Sequence, residues 1–284
     1  MVSIEGVDYS ESRPSPTGLA AAGIHFAVRY VGALNTKFNL TPAEAKSLAD
    51  AGLWICVVFE TQPNRALVGR QGGQDDAKKA LAAATTCGMP DGRPIYFAVD
   101  FDPNASQIAA VKAYFQGIQD VLGPRSGVYG GLGTIQAADS LGITWLWQTY
   151  AWSGHQDPAT GKWVTTWHPK SVLQQYQNGV VIAGGTLDRT RAVANDYGQW
   201  IPGKLPVNPS SPLAPSQEDK VYRLINTVDT KRLYLVSASK IILATPDVLD
   251  AFKAMGVIQN PGASDDALQI QVDRAAAAIR GAVA

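Results

Sequence analysis

Two aspartates, Asp100 and Asp102, close the run Arg93-Pro94-Ile95-Tyr96-Phe97-Ala98-Val99-Asp100-Phe101-Asp102-Pro103. Like charges this close resist joint ionisation, so one carboxyl of such a pair is held protonated towards neutral pH. That is the condition for a carboxylic acid to donate a proton in catalysis. Further acids stand at the ends of other apolar runs. Asp8 closes Gly6-Val7-Asp8, Glu60 closes Trp54–Glu60, and Asp188 closes Gly185-Thr186-Leu187-Asp188. Asp8, Glu60, Asp100, Asp102 and Asp188 are therefore the candidate catalytic set, with Asp102 as general acid. Asp100 or Asp8 would stabilise positive charge or activate water, and Glu60 would tune the cluster.

The elements that position these acids follow from periodicity. Ile95–Val99 is apolar and β-favouring, and side chains alternate faces along a strand. Tyr96, Ala98, Asp100 and Asp102 share one face; Ile95, Phe97, Val99 and Phe101 share the other, which must pack on helices. Strands are expected at 6–9, 25–31, 54–60, 95–99, 126–129, 143–150, 172–176 and 185–188. Helices are expected at 17–22, from Thr41 to Gly52, at 74–87, 104–122 and 134–141, and finally at 192–200. Thr41-Pro42-Ala43-Glu44 opens its helix with a cap, a proline at the first position and a reciprocal glutamate. Alternating β and α units imply a parallel sheet, and eight strands in this length imply a modified (β/α)8 TIM barrel. Such barrels carry their sites at the C-terminal strand ends. The five acids would then converge on one mouth.

Arg29 interrupts the apolar run of the second strand and is expected to face carboxylates inside. Arg29, Tyr129, Gln148, Trp152 and Tyr176 are the candidate substrate-binding residues. Among the aromatics, Trp145 and Trp147 read as core. Trp152 and Trp163, in a long loop over 151–169, read as exposed.

Beyond the barrel, at 1–201, Ile201–Gln217 holds five prolines with serines between them. Residues 202–217 are read as an extended linker. Residues 218–284 form a small α+β module with strands near 221–226, 233–237 and 241–244 and helices from Thr245 to Gly256 and from Asp265 to Arg280.

Composition excludes several classes. Twenty-four Lys and Arg balance 24 Asp and Glu, which argues against a nucleic-acid binder. No apolar run is long enough to span a bilayer. The start carries Glu5 and Asp8 and does not read as a secretory signal, so action outside the producing cell would need lysis or a virion. There is no phosphate loop, no complete dinucleotide fingerprint and no nucleophile elbow. The three histidines lack zinc-ligand spacing. No cofactor and no metal is expected. Cys56 and Cys87 are expected as buried free thiols.

Gly6-Val7-Asp8-Tyr9-Ser10, Tyr96–Asp102 and Gly185–Asp188 together resemble a glycoside-hydrolase-like domain family, once of unknown function, that is related to the family 25 lysozymes. The resemblance covers about residues 2–200. It implies a modified (β/α)8 barrel and action on bacterial cell-wall peptidoglycan. It matches Asp8 to the strand-one acid, Asp100 to the first acid of the strand-four pair and Asp188 to the strand-eight acid. Asp102 falls where the lysozymes carry a glutamate proton donor and is one methylene shorter. The linker and C-terminal module are similar to those of bacteriophage lytic or tail proteins, which implies a wall or virion partner for 218–284. A non-catalytic glycan-binding or structural virion protein is the alternative.

Overall fold

The computed structural model describes residues 3–202 and four short strands between 222 and 259. The chain falls into two compact units, Met1–Pro209 and Ser210–Ala284.

The first unit is a closed eight-stranded barrel. Its strands are β1 (Ile4–Tyr9), β2 (Phe26–Val31), β3 (Trp54–Phe59), β4 (Ile95–Ala98), β5 (Ser126–Gly130), β6 (Trp145–Thr149), β9 (Leu173–Ile182) and β10 (Gly185–Ala192). Between β6 and β9, β7 (Gly154–Gln156) and β8 (Trp163–Thr165) pair as an antiparallel ribbon. Helices α1 (Pro16–Ala21), α2 (Pro42–Asp50), α3 (Gly69–Thr86), α4 (Ile108–Leu122) and α5 (Leu132–Asp139) connect the earlier strands. The cap of α2 forms as its sequence requires, with the Thr41 hydroxyl accepting from Glu44 N at 3.1 Å.

Seven barrel strands are parallel, and the eighth is not. β10 runs antiparallel to both β9 and β1. No helix can sit in the two-residue connection between β9 and β10. That connection turns at Ala183 and Gly184, both at positive φ, as tight hairpin turns need.

Period-two alternation sorts the strands into two apolar layers. Phe26, Val28, Cys56, Val58, Tyr96, Ala98, Tyr129, Trp147 and Leu173 fill the barrel interior. Ala27, Val31, Ile55, Val57, Phe59, Ile95, Phe97, Val99, Val128 and Leu146 face outward under the helices. On that outer side α3 and α4 cross in backbone contact. A Cβ at Gly73 would collide with the Tyr114 carbonyl and one at Gly117 with the Arg70 carbonyl, so glycine is required at both positions.

The expected helix over 192–200 does not form. Ala192 ends β10, and the following segment turns back under the barrel floor. Ile55 and Trp200 exchange backbone hydrogen bonds of 2.9 and 2.8 Å. The Tyr197 carbonyl accepts from the Tyr96 hydroxyl at 2.8 Å, and its ring packs on Phe26 at 4.7 Å between centroids. These contacts outweigh the weak helical preference of Ala192-Val193-Ala194. The loop expected over 151–169 likewise contains the β7–β8 ribbon. Cys56 and Cys87 are buried free thiols. No helix among the described residues is long and apolar enough to cross a membrane.

In the second unit, β11 (Tyr222–Asn226), β12 (Leu233–Val236), β13 (Ile241–Leu243) and β14 (Ile258–Gln259) form one sheet in the order β13-β12-β11-β14. The helices expected from Thr245 to Gly256 and from Asp265 to Arg280 lie outside the described residues.

Candidate active site

β1, β3 and β4 end at the same mouth of the barrel, and each delivers an acid there. Asp8 is the fifth residue of β1, Glu60 follows β3 directly, and Asp100 leaves β4 two residues after Ala98. Asp188 arrives by another route. It lies in the middle of β10, and because β10 is antiparallel it pairs directly with Asp8 across the β1–β10 ladder. The expectation that Asp188 ends a parallel strand is corrected, although its side chain reaches the same mouth.

Asp8 is 4% exposed. Its Oδ1 accepts from Gln175 Nε2 at 3.0 Å and its Oδ2 from the Thr190 hydroxyl at 2.8 Å. Burial, then the charge of Asp188, push its carboxyl well above the ordinary range, and the two hydrogen bonds pull against them. Asp188 accepts from Gly179 N at 2.8 Å and from Gln175 Nε2 at 3.4 Å. Burial raises its carboxyl too. Asp100 is raised by burial and then by Asp188. Glu60 is pushed up to about 7 by burial and then by Asp100, while the nearby Tyr30 hydroxyl opposes the rise. Burial, followed by Glu60 and Asp8, raises the Tyr30 phenol as well. Among the described residues no lysine or arginine forms an ion pair with any of these four acids.

Asp102 does not join this buried group. It stands exposed, past the end of β4, and the groups that raise Asp100 do not include it. The expected Asp100–Asp102 couple is thus replaced by couples that cross strands, because β4 stops at Ala98 and the chain leaves the barrel wall before Asp102.

Three of the five candidate binding residues lie outside the mouth. Arg29 shares the outer face with Ala27 and Val31 and is fully buried under α2. Its Nε donates to Glu44 Oε1 at 2.7 Å, a second nitrogen donates to the Tyr9 carbonyl, and its guanidinium lies over the Tyr9 ring at 4.1 Å. It does face a carboxylate, but the one supplied by the α2 cap. Gln148 also points outward. It accepts from His168 N at 2.7 Å and donates to the Thr166 carbonyl at 2.8 Å, fixing the long loop. Tyr176 is on the outer face and donates to Glu5 at 2.5 Å. Tyr129 does line the interior, packed on Trp147 at 4.5 Å with its hydroxyl donating to Gln175 Oε1 at 2.8 Å. Trp152 is exposed beside the β5–α5 turn, where its Cβ and carbonyl would meet a side chain at Gly131. Trp163 is exposed on the ribbon.

The sequence reading missed Tyr30, Thr149, Gln175 and Thr190. Tyr30 had a signal, since it alternates with Val28 on the inner face and so points where Asp8 points. The other three are neutral residues that no motif marks. Among the described residues no group of three or more His, Cys, Asp or Glu side chains is arranged to hold a metal ion.

Four carboxylates share one mouth, all raised by burial and none paired with a lysine or arginine among the described residues, and Glu60 is pushed up to about 7. Residues 17–193 match the family described as Rv2525c-like, glycoside hydrolase-like domain. The chain belongs to that family. It is 27% identical over 208 residues to a Mycobacterium tuberculosis protein named "Putative peptidoglycan hydrolase Rv2525c", a match spanning 68% of this chain and 82% of the relative. The crystal structure of the Tat-secreted protein Rv2525c from the same organism, in complex with L-tartrate, superimposes with a TM-score of 0.61 at 24% identity. That match covers 69% of this chain and 98% of the other and shows a shared fold. A second Rv2525c crystal structure, with HEPES, gives 0.60 with the same coverage.

Proposed function

We propose that the barrel mouth binds bacterial cell-wall glycan and hydrolyses a glycosidic bond there by carboxylate acid/base catalysis. The observation that carries this reading is the convergence of Asp8, Glu60, Asp100 and Asp188 on one mouth, where burial and then Asp100 push Glu60 up to about 7. A donor near the working pH keeps both of its protonation states accessible, which is where general acid catalysis is most effective. Glu60 gives its proton to the leaving glycosidic oxygen. Asp100, one strand over, stabilises the positive charge that develops on the sugar or activates water. Asp8 and Asp188, deeper in the mouth, set the negative potential that favours that charge.

Asp102 stands on the rim, where a bound glycan would cover it. Its place in the strand-four pair makes it the second candidate donor. Trp152 and Trp163 are assigned to sugar stacking because both are exposed. Peptidoglycan as substrate is supported by family membership and by the name of the Mycobacterium tuberculosis relative, and it implies action outside the cell membrane. We assign residues 218–284, past the proline-rich linker, to attachment at the wall or at a virion.

The test is release of soluble fragments from purified peptidoglycan by wild type, Glu60→Gln and Asp102→Asn over roughly pH 4 to pH 8. The expected outcome is a loss of about 100-fold or more for Glu60→Gln and of about 10-fold or less for Asp102→Asn. The reverse order would move the donor to Asp102. No release by wild type, with glycan binding retained, would make the barrel a glycan-binding scaffold.

A further inference from the structure

The side chain that touches most of the mouth is not an acid. Gln175 lies on the inner face of β9, and its amide is saturated. Its Nε2 has two hydrogens and faces two carboxylates, Asp8 Oδ1 at 3.0 Å and Asp188 Oδ2 at 3.4 Å. Its Oε1 accepts from two hydroxyls, Tyr129 and Thr149, each at 2.8 Å. With both carboxylates ionised, the orientation is dictated chemically. A flipped amide would set its oxygen against two carboxylates, which is tolerable only if one of them carries a proton to donate.

The backbone is shaped to place it there. β9 and β10 slip register twice, between Leu187 and Arg189 and again between Arg189 and Thr190. After these shifts Thr190 pairs with Gln175, so a single ladder rung supplies a donor to each oxygen of Asp8. Bulges commonly re-aim side chains beside active sites.

We infer that Gln175 is the positioning residue of this mouth, its amide holding Asp8 and Asp188 as one coupled pair clamped from behind by Tyr129 and Thr149. Its importance for catalysis rests on the hydrolytic reading above; its hold on the two acids does not. The amide supplies neutral donors where a lysine or arginine would simply ionise both acids. Asp100 and Glu60 are the other charged groups at this mouth, and Tyr30 and Tyr129 its other titratable ones. Gln175 thereby lets Asp8 and Asp188 keep a fixed geometry while their shared charge varies by one proton.

The experiment is a carbon-detected NMR titration of the aspartate carboxyls in the full chain, for wild type, Gln175→Leu and Tyr129→Phe. Melting temperature is followed in parallel. Removing donors to an ionised carboxylate raises its midpoint. In Gln175→Leu the Asp8 and Asp188 midpoints should both rise by about one pH unit. Tyr129→Phe loosens the clamp and should raise both by a smaller amount. A folded Gln175→Leu protein that melts lower but titrates as wild type would overturn the inference, leaving Gln175 a packing residue. If Gln175→Leu does not fold, unmoved midpoints in Tyr129→Phe overturn it instead. A wild-type protein that releases no glycan would refute hydrolysis without touching this titration result.

Discussion

The two faces of the barrel wall treat carboxylates in opposite ways. On the outer side, acids meet arginines. Arg29 pairs with Glu44, Arg65 with Asp76 and Arg70 with Asp120, each at 2.7 Å. On the inner side, Asp8 and Asp188 accept from neutral donors only, and neither they nor Glu60 and Asp100 pair with an arginine or lysine of the described residues. Asp76 and Asp8 make the contrast sharpest, since they are 1% and 4% exposed. One is gripped by a guanidinium and the Tyr114 hydroxyl, the other by an amide and a threonine. Burial alone therefore does not decide a carboxylate's role here; its partner does. An arginine fixes the charge, as at Asp120, which Arg70 and Gln74 hold down at about 2. Neutral donors fix the geometry without fixing the charge, and at Glu60, which no arginine or lysine of the described residues pairs, burial pushes the carboxyl up to about 7.

The contrast can be broken most forcefully on the outer face. Glu44→Leu strands the fully buried Arg29 without its counter-charge, and a stranded buried charge costs roughly 3–5 kcal/mol. Urea unfolding should show a loss of that order. A loss under about 1 kcal/mol would mean that the Tyr9 and Phe38 carbonyls suffice for Arg29.

The mouth should respond to pH with the opposite sign from an arginine-paired acid. The folded-state value of Glu60 lies above its ordinary 4.5, so the native state binds more protons than the unfolded state between about 4.5 and about 7. Stability contributed by the protonated form is full below that window and falls as pH rises through it. The share of Glu60 in the fall is on the order of 2–3 kcal/mol, and Glu60→Gln should remove that share while leaving the part due to Asp8, Asp100 and Asp188. Unfolding free energies measured across the window check both the slope and its reduction. A slope of the same size in Glu60→Gln would place its source elsewhere.

The smallest effect belongs to pairing without burial. Lys46 and Asp50 form an exposed pair one helical turn apart at 2.6 Å. Lys46→Ala should change stability by less than about 0.5 kcal/mol, and salt should erase even that.

Period-two alternation carried most of the fold and much of the site. It sorted Tyr96, Ala98 and Asp100 from Ile95, Phe97 and Val99 before any coordinate was needed. The same rule sets Arg29 with Ala27 and Val31 on the outer face. The expectation that Arg29 faces acids inside misses because its partner, Glu44, comes from a neighbouring helix whose docking is a tertiary matter. The direction of β10 was not legible for a similar reason. Alternation is blind to strand polarity, and only the tight turn at Ala183-Gly184 forces the antiparallel return. Gln175 and Thr190 stayed hidden because a neutral side chain becomes functional only through what it is aimed at. The missing helix at 192–200 shows how far local preference yields once Tyr197 and Trp200 find buried contacts.

That last segment has a further consequence. With Phe26, Tyr96 and Tyr197 stacked across its floor, the barrel is a well and not a tunnel. A polymer cannot be threaded through it. Whatever reaches these acids must therefore enter and leave by the same opening.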